Sequence, residues 1–109
     1  MFKYVGKTID VKYDSGLHYT IEYVDEKTLK WTALADGVAG ADESGTETFY
    51  CFEAADDVFA FDWIEEAGIS VSQVINFGTL EVYSFIAWNN PASRGGREFS
   101  INTGKIAFL

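Results

Sequence analysis

From residue 7 onward the chain alternates apolar and polar side chains with a period of two, and turn residues cut that alternation at short intervals. Lys7 to Tyr13 sets Ile9, Val11 and Tyr13 against Thr8, Asp10 and Lys12. Asp14-Ser15-Gly16 turns the chain into Leu17 to Val24, where Leu17, Tyr19, Ile21 and Tyr23 oppose His18, Thr20 and Glu22. Two such runs across a short loop containing glycine predict a β-hairpin. The pattern predicts further strands over Thr28 to Ala35, Thr46 to Glu53, Val58 to Glu65, Ile69 to Asn76 and Leu80 to Trp88. Two short segments, Arg97 to Asn102 and Lys105 to Leu109, follow on either side of Thr103-Gly104. Asp36 to Gly45 and Asn89 to Gly96 are the longer loops, and no segment sustains a helical period.

About eight or nine short strands with short links predict an all-β fold of antiparallel neighbours. So many strands in a single domain spanning residues 1–109 must hide their edges. An up-and-down meander does so by closing into a small antiparallel β-barrel. With about eight strands, the interior is just wide enough for packed side chains or one small ligand. A two-sheet sandwich is the alternative, but its crossovers need longer connections than most of those present.

In a barrel the apolar face of each strand points inward, and polar residues sharing that face mark candidate chemistry. The stretch FDWIEE, residues 61–66, places Glu65 in phase with Phe59, Phe61 and Trp63. A buried lone carboxylate is costly, so Glu65 either reaches water at the barrel mouth or occupies a pocket that tunes its pKa. Gln73 lies between Val71 and Ile75, Ser84 between Val82 and Ile86, and Tyr13 brings a phenol to the end of the first strand. Gln73 is either a satisfied core amide or a ligand contact. The tyrosines serve as packing or as site residues. Candidate catalytic residues are Glu65 and Tyr13, with Val11, Tyr19, Trp31, Phe61, Trp63 and Gln73 as candidate ligand contacts.

Composition narrows the function classes. Aromatic residues make up 17% of the chain, which suits strands and also the lining of an apolar pocket. A net charge of −9 repels nucleic acid and anionic lipid, so neither nucleic acid nor membrane is an expected partner. Cys51 is the single cysteine, which rules out an intramolecular disulfide. The N-terminal MFKYVGKT has no apolar stretch of signal-peptide length, so a cytoplasmic location is expected.

Several standard chemistries are absent from the sequence. His18 is the lone histidine, expected as an ordinary residue on the polar face of the second strand. No spacing suggests zinc, and neither Asp42-Glu43 nor Asp56-Asp57 resembles a calcium loop; both read as solvated turns. No metal and no cofactor is expected. Ser93-Arg94-Gly95-Gly96-Arg97 reads as a soluble loop rather than an anion clamp. What remains is an aromatic interior with one acid, one phenol and one amide, which suits binding or at most proton transfer.

The ordered set YVGKTIDVKYDSGLHYTIEY, GVAG at 37–40, FDWIEEAG and VSQVINF resembles the MoaF-like proteins and, more distantly, the phenolic acid decarboxylases. The resemblance implies a lipocalin-like (calycin) barrel, commonly dimeric, so a homodimer is expected. It also implies roles to compare residue by residue. The decarboxylases hold the substrate carboxylate with a Y-x-Y pair, and here Val11-Lys12-Tyr13 keeps only Tyr13. They place an arginine after V-A-G, and here Ala41 follows Val38-Ala39-Gly40. Their catalytic acid follows a tryptophan by two, which Glu65 matches after Trp63. Their longer C-terminal part has no counterpart in this sequence. Without the arginine and one phenol, the decarboxylase reaction is not expected. The expected function is a small-molecule-binding barrel with an apolar or aromatic ligand. The alternative is a lyase or isomerase using Glu65 as general acid/base.

Overall fold

The computed structural model describes residues 2–34 and 43–109. Its strands are β1 (Thr8–Tyr13), β2 (His18–Tyr23), β3 (Thr28–Ala33), β4 (Ser44–Ala55), β5 (Val58–Ile64), β6 (Ser70–Asn76), β7 (Glu81–Asn89) and β8 (Arg97–Phe108). Each strand pairs antiparallel with the next, and β8 returns to pair with β1, so the meander is a closed barrel. A single 3-10 turn at Arg94–Gly96 is the helical structure among the described residues, and no helix there is long and apolar enough to cross a membrane.

The two end segments predicted from the sequence are one strand. Thr103-Gly104 does not break the ladder, because Gly104 pairs with both Val82 of β7 and Tyr13 of β1. At this seam the backbones run so close that a Cβ on Gly104 would lie 2.1 Å from the Lys12 carbonyl oxygen. Glycine is therefore required for its absent side chain, and its turn-like composition misleads a reading by pattern alone. Strands β4 and β8 have 12 residues each. The first part of β4 pairs with β3 and the rest with β5, while β8 passes from β7 to β1. These two strands turn the corners of the barrel.

The ends of the barrel differ. One is filled by an aromatic plug. The Phe2 ring, from the segment before β1, meets the rings of Tyr23, Phe59 and Phe61 edge-on at 4.8, 5.1 and 5.4 Å. Tyr23 in turn stacks on Phe61 at 5.6 Å. Such pairs each add about 0.5–1.5 kcal/mol beyond the area they bury. The N-terminal segment is tied down at Asp57, which accepts from the Tyr4 hydroxyl at 2.6 Å and pairs with Lys3 at 2.8 Å. Lys3 and the Tyr4 hydroxyl hold the Asp57 carboxyl below its ordinary range. Asp57 thus anchors the plug and is more than a solvated turn residue.

The outer wall is two-sided. Over β1–β3 it is polar, with pairs such as Asp10 opposite Thr20 and Glu22 opposite Lys30. Over β4–β8 it carries many exposed apolar side chains, in rows such as Phe52–Ala60–Val74–Tyr83 and Tyr50–Asp62–Ser72–Phe85–Ile101, the latter interrupted by Asp62 and Ser72.

The Gly104 seam makes a stability prediction. Gly104→Ala forces the β1 and β8 backbones apart and is expected to cost about 3 kcal/mol. Urea unfolding measures this, and an unchanged midpoint would show that the seam has room.

Candidate functional site

At the end away from the plug the barrel encloses a cavity of about 160 Å³. Strand β5 shows how alternation builds it. Phe59, Phe61, Trp63 and then Glu65 share the inward face, and each two-residue step moves about 6.7 Å along the strand. Phe59 and Phe61 belong to the plug, Trp63 forms cavity wall, and Glu65 sits at the rim. On β2 the same walk runs from Tyr23 in the plug through Ile21 to Tyr19 in the wall.

Trp31 of β3 forms another wall. It lies across the backbone of Gly45, its register partner, where a Cβ would fall 2.8 Å from the indole nitrogen. The indole N–H donates to Glu47 Oε2 at 3.0 Å. Trp63 repeats the arrangement, donating to Glu65 Oε2 at 3.2 Å. Tyr19 meets Trp31 edge-on at 6.2 Å and Tyr13 at 6.5 Å, so aromatic rings line one side from floor to rim.

The floor is polar. Gln73 Nε2 donates to the Tyr13 hydroxyl at 3.0 Å. Gln73, Ser84 and Asn102 are register partners across β6, β7 and β8, and all three are buried. Gln73 Oε1 and Ser84 Oγ have no hydrogen-bond partner of normal geometry, nor does the Tyr23 hydroxyl beneath them. Burial raises the Tyr13 phenol above its ordinary value, opposed by the nearby Ser84 hydroxyl and the Gln73 amide.

Glu65 is half-buried at the rim, just past the end of β5. Its N–H donates to the Ile69 carbonyl at 2.7 Å, and its own carbonyl accepts from Gly68 at 2.8 Å. Arg97 braces this turn, donating to the Gly68 carbonyl at 3.1 Å and to Ser70 Oγ at 2.9 Å. Burial raises the Glu65 carboxyl above its ordinary 4.5; the Trp63 indole opposes this, and the charges of Glu47 and Glu43 reinforce it.

Of the residues singled out from the sequence, Val11, Tyr13, Tyr19, Trp31, Trp63, Glu65 and Gln73 line this cavity. Phe61 does not. It faces inward, but one step too deep, and stacks on Tyr23 in the plug. Glu43, read from the sequence as part of a solvated turn, comes to the rim, as does Glu47, which had not been singled out. For Glu47 the signal was present, since it is in phase with Phe49 and Cys51 on β4 as Glu65 is with Trp63. His18 is not an exposed surface residue. Its side chain is 11% exposed, and its Nε2 lies 2.5 Å from Asp10 Oδ1. Arg97 is likewise no free loop residue. The segment Val38-Ala39-Gly40-Ala41 and Asp42 lie outside the described residues. Among the described residues, no group of three or more His, Cys, Asp or Glu is placed to hold a metal ion.

A family model described as MoaF-like matches residues 5–105. No curated protein matches the sequence. Among solved structures, one similar chain is a provisionally assigned beta-lactamase from Burkholderia vietnamiensis. It superposes with a TM-score of 0.82 at 22% identity, over 99% of this chain and 97% of that one. At that identity the likeness is one of fold.

The raised Glu65 carboxyl has a pH signature. The folded state holds this proton more tightly than the unfolded chain, so stability falls as pH rises from near 4.5 through the raised value. Glu65→Gln keeps an acceptor for Trp63 and removes the charge. Its melting temperature is expected to exceed the parent's by about 1–3 °C at neutral pH. The gain should vanish below about pH 4, where the parent carboxyl is protonated. Equal melting curves at pH 7 would show that Glu65 carries no burial penalty.

Proposed function

The chain belongs to the MoaF-like family, and from that premise and the cavity we propose that it is a small-molecule-binding barrel for a single-ring compound. The observation that supports this best is the cavity of about 160 Å³, walled by Trp31, Trp63 and Tyr19 and floored by Tyr13 and Gln73. An apolar protein cavity of about this size accommodates a benzene ring. Aromatic walls with a few convergent polar groups are the usual make-up of a ligand pocket.

A second reading is general acid/base chemistry by Glu65, with Tyr13 and Gln73 orienting an aromatic or enolisable substrate. It is favoured by a carboxyl that burial raises above its ordinary value while it lines the same cavity. The reaction of the phenolic acid decarboxylases is not part of either reading. Val11 occupies the position of one of their carboxylate-holding tyrosines, and the rim glutamates repel a carboxylate.

One panel tests both readings. Phenols, aromatic amines, aromatic acids and pterins are screened by thermal shift, and a ligand at 100 times its Kd adds about 2.7 kcal/mol of stability. Flat melting temperatures across the panel at millimolar concentration would overturn ligand binding. Run in D2O, the acid/base reading expects exchange of a carbon-bound proton in a binding compound, lost in Glu65→Gln at concentrations that still saturate the variant. No exchange with any binder would leave Glu65 a binding residue. p-Coumarate and ferulate are expected to pass through unchanged.

The apolar outer face of β4–β8 suits a second copy of the chain. Exposed apolar faces of this breadth are uncommon on monomers. This one carries few charges, Asp62 among them, on a chain of net charge −9, so two copies meeting there bury mainly rings and aliphatic side chains rather than acids. Sedimentation at micromolar concentration is expected to give a homodimer, reduced to monomer by Phe85→Lys. A monomeric parent would overturn this assembly.

A further inference from the structure

Resting on the reading of this cavity as a ligand site, the charge and chemistry around it narrow the ligand class. Glu43 and Glu65 line the cavity, and a groove continuous with it adds Glu47 and Glu66. Neither the cavity nor the groove has a lysine or arginine among its described lining residues. Among the described lining residues, the negative rim therefore has no cationic side chain to pair with.

Three rings, Tyr19, Trp31 and Trp63, stand beside these acids. Aromatic faces attract cations through the ring quadrupole, most strongly for tryptophan. Each indole also engages one oxygen of a glutamate, Trp31 on Glu47 and Trp63 on Glu65. That fixes the carboxylates among the rings and leaves lone pairs for a ligand. The matching charge is that of a cation, and the aromatic walls suit an organic one.

The floor supplies an independent constraint. Gln73 is 3% exposed and lines the cavity, and its Oε1 has no hydrogen-bond partner. A buried acceptor left unpaired costs free energy that a donor on the ligand removes. Gln73 is the register partner of Phe61, four residues before Glu65 on β5, so floor and rim are about 13 Å apart along the strand.

We infer that the cavity takes a compact aromatic amine, with a hydroxyl or N–H at its deep end beside Gln73 and an ammonium on a short arm at the glutamate rim. The rim glutamates pair with the ammonium, the two tryptophans and Tyr19 hold the ring and arm, and carboxylates of the same shape are excluded by repulsion.

Three probes with one ring and different arms test this by calorimetry: tyramine, 4-hydroxyphenethyl alcohol and 4-hydroxyphenylpropionate. The expected order is amine over alcohol by about tenfold or more, with the acid weakest. Tyramine affinity should fall with added salt, and Glu65→Gln and Glu47→Gln should each weaken tyramine by a larger factor than they weaken the alcohol. Gln73→Leu should weaken amine and alcohol alike. If the alcohol or the acid binds as tightly as the amine, this inference fails while the ligand-binding reading stands. If none binds and the wider aromatic panel is also silent, both fail.

Discussion

The Phe2 ring stands edge-on among Tyr23, Phe59 and Phe61, and this contact decides what the remainder of the barrel can do. Eight strands enclose a space that must either be filled or be left as void, and a void forfeits dispersion contacts around its whole lining. Packing rings into one end concentrates the stabilising contacts there. The other end can then keep a cavity without the barrel collapsing onto it. The plug is not made by the barrel strands alone. It needs a residue from the segment before β1, held in place by Lys3 and Tyr4 on Asp57.

The open end is organised by a conflict between burial and charge. A carboxylate at the level of Phe61 would be without water or partner, whereas four residues later on the same face Glu65 is half-buried and bonded to an indole. The cost of its charge is moderated there, and the raised carboxyl is the residue of that cost. Its position depends on Arg97, whose bonds to Gly68 and Ser70 connect the start of β8 to the turn that carries Glu65. The acid and its brace are 32 residues apart in sequence, 65 against 97.

Period-two alternation made most of the barrel legible in the sequence, because a side chain's face depends only on its parity along the strand. Parity put Glu65, Trp63, Gln73 and Tyr13 on the inner face. It says nothing of depth, and so Phe61 and Trp63 looked equivalent although one belongs to the plug and the other to the wall. Phe2 was invisible for a different reason: it precedes the first strand, where there is no period to read. Asp57, His18 and Arg97 looked like solvated polar residues, since a pattern cannot show that a partner comes from a distant segment. Thr103-Gly104 looked like a turn because close backbone approach and chain reversal call for the same residue.

The Gly104 seam also bears on how the barrel forms. All the other ladders join strands adjacent in sequence and can zip from short hairpins. The β1–β8 ladder joins Ile9 to Phe108, so it closes only after nearly the whole chain has been gathered. Until then β1 and β8 are open edges, each able to pair with the wrong strand or with another molecule. Closing so long a loop carries an entropic cost that the hairpin ladders do not, and such non-local pairing goes with slower folding among small domains. Tyr13 sits on the seam, opposite Gly104, so the floor of the cavity depends on the β1–β8 ladder being closed.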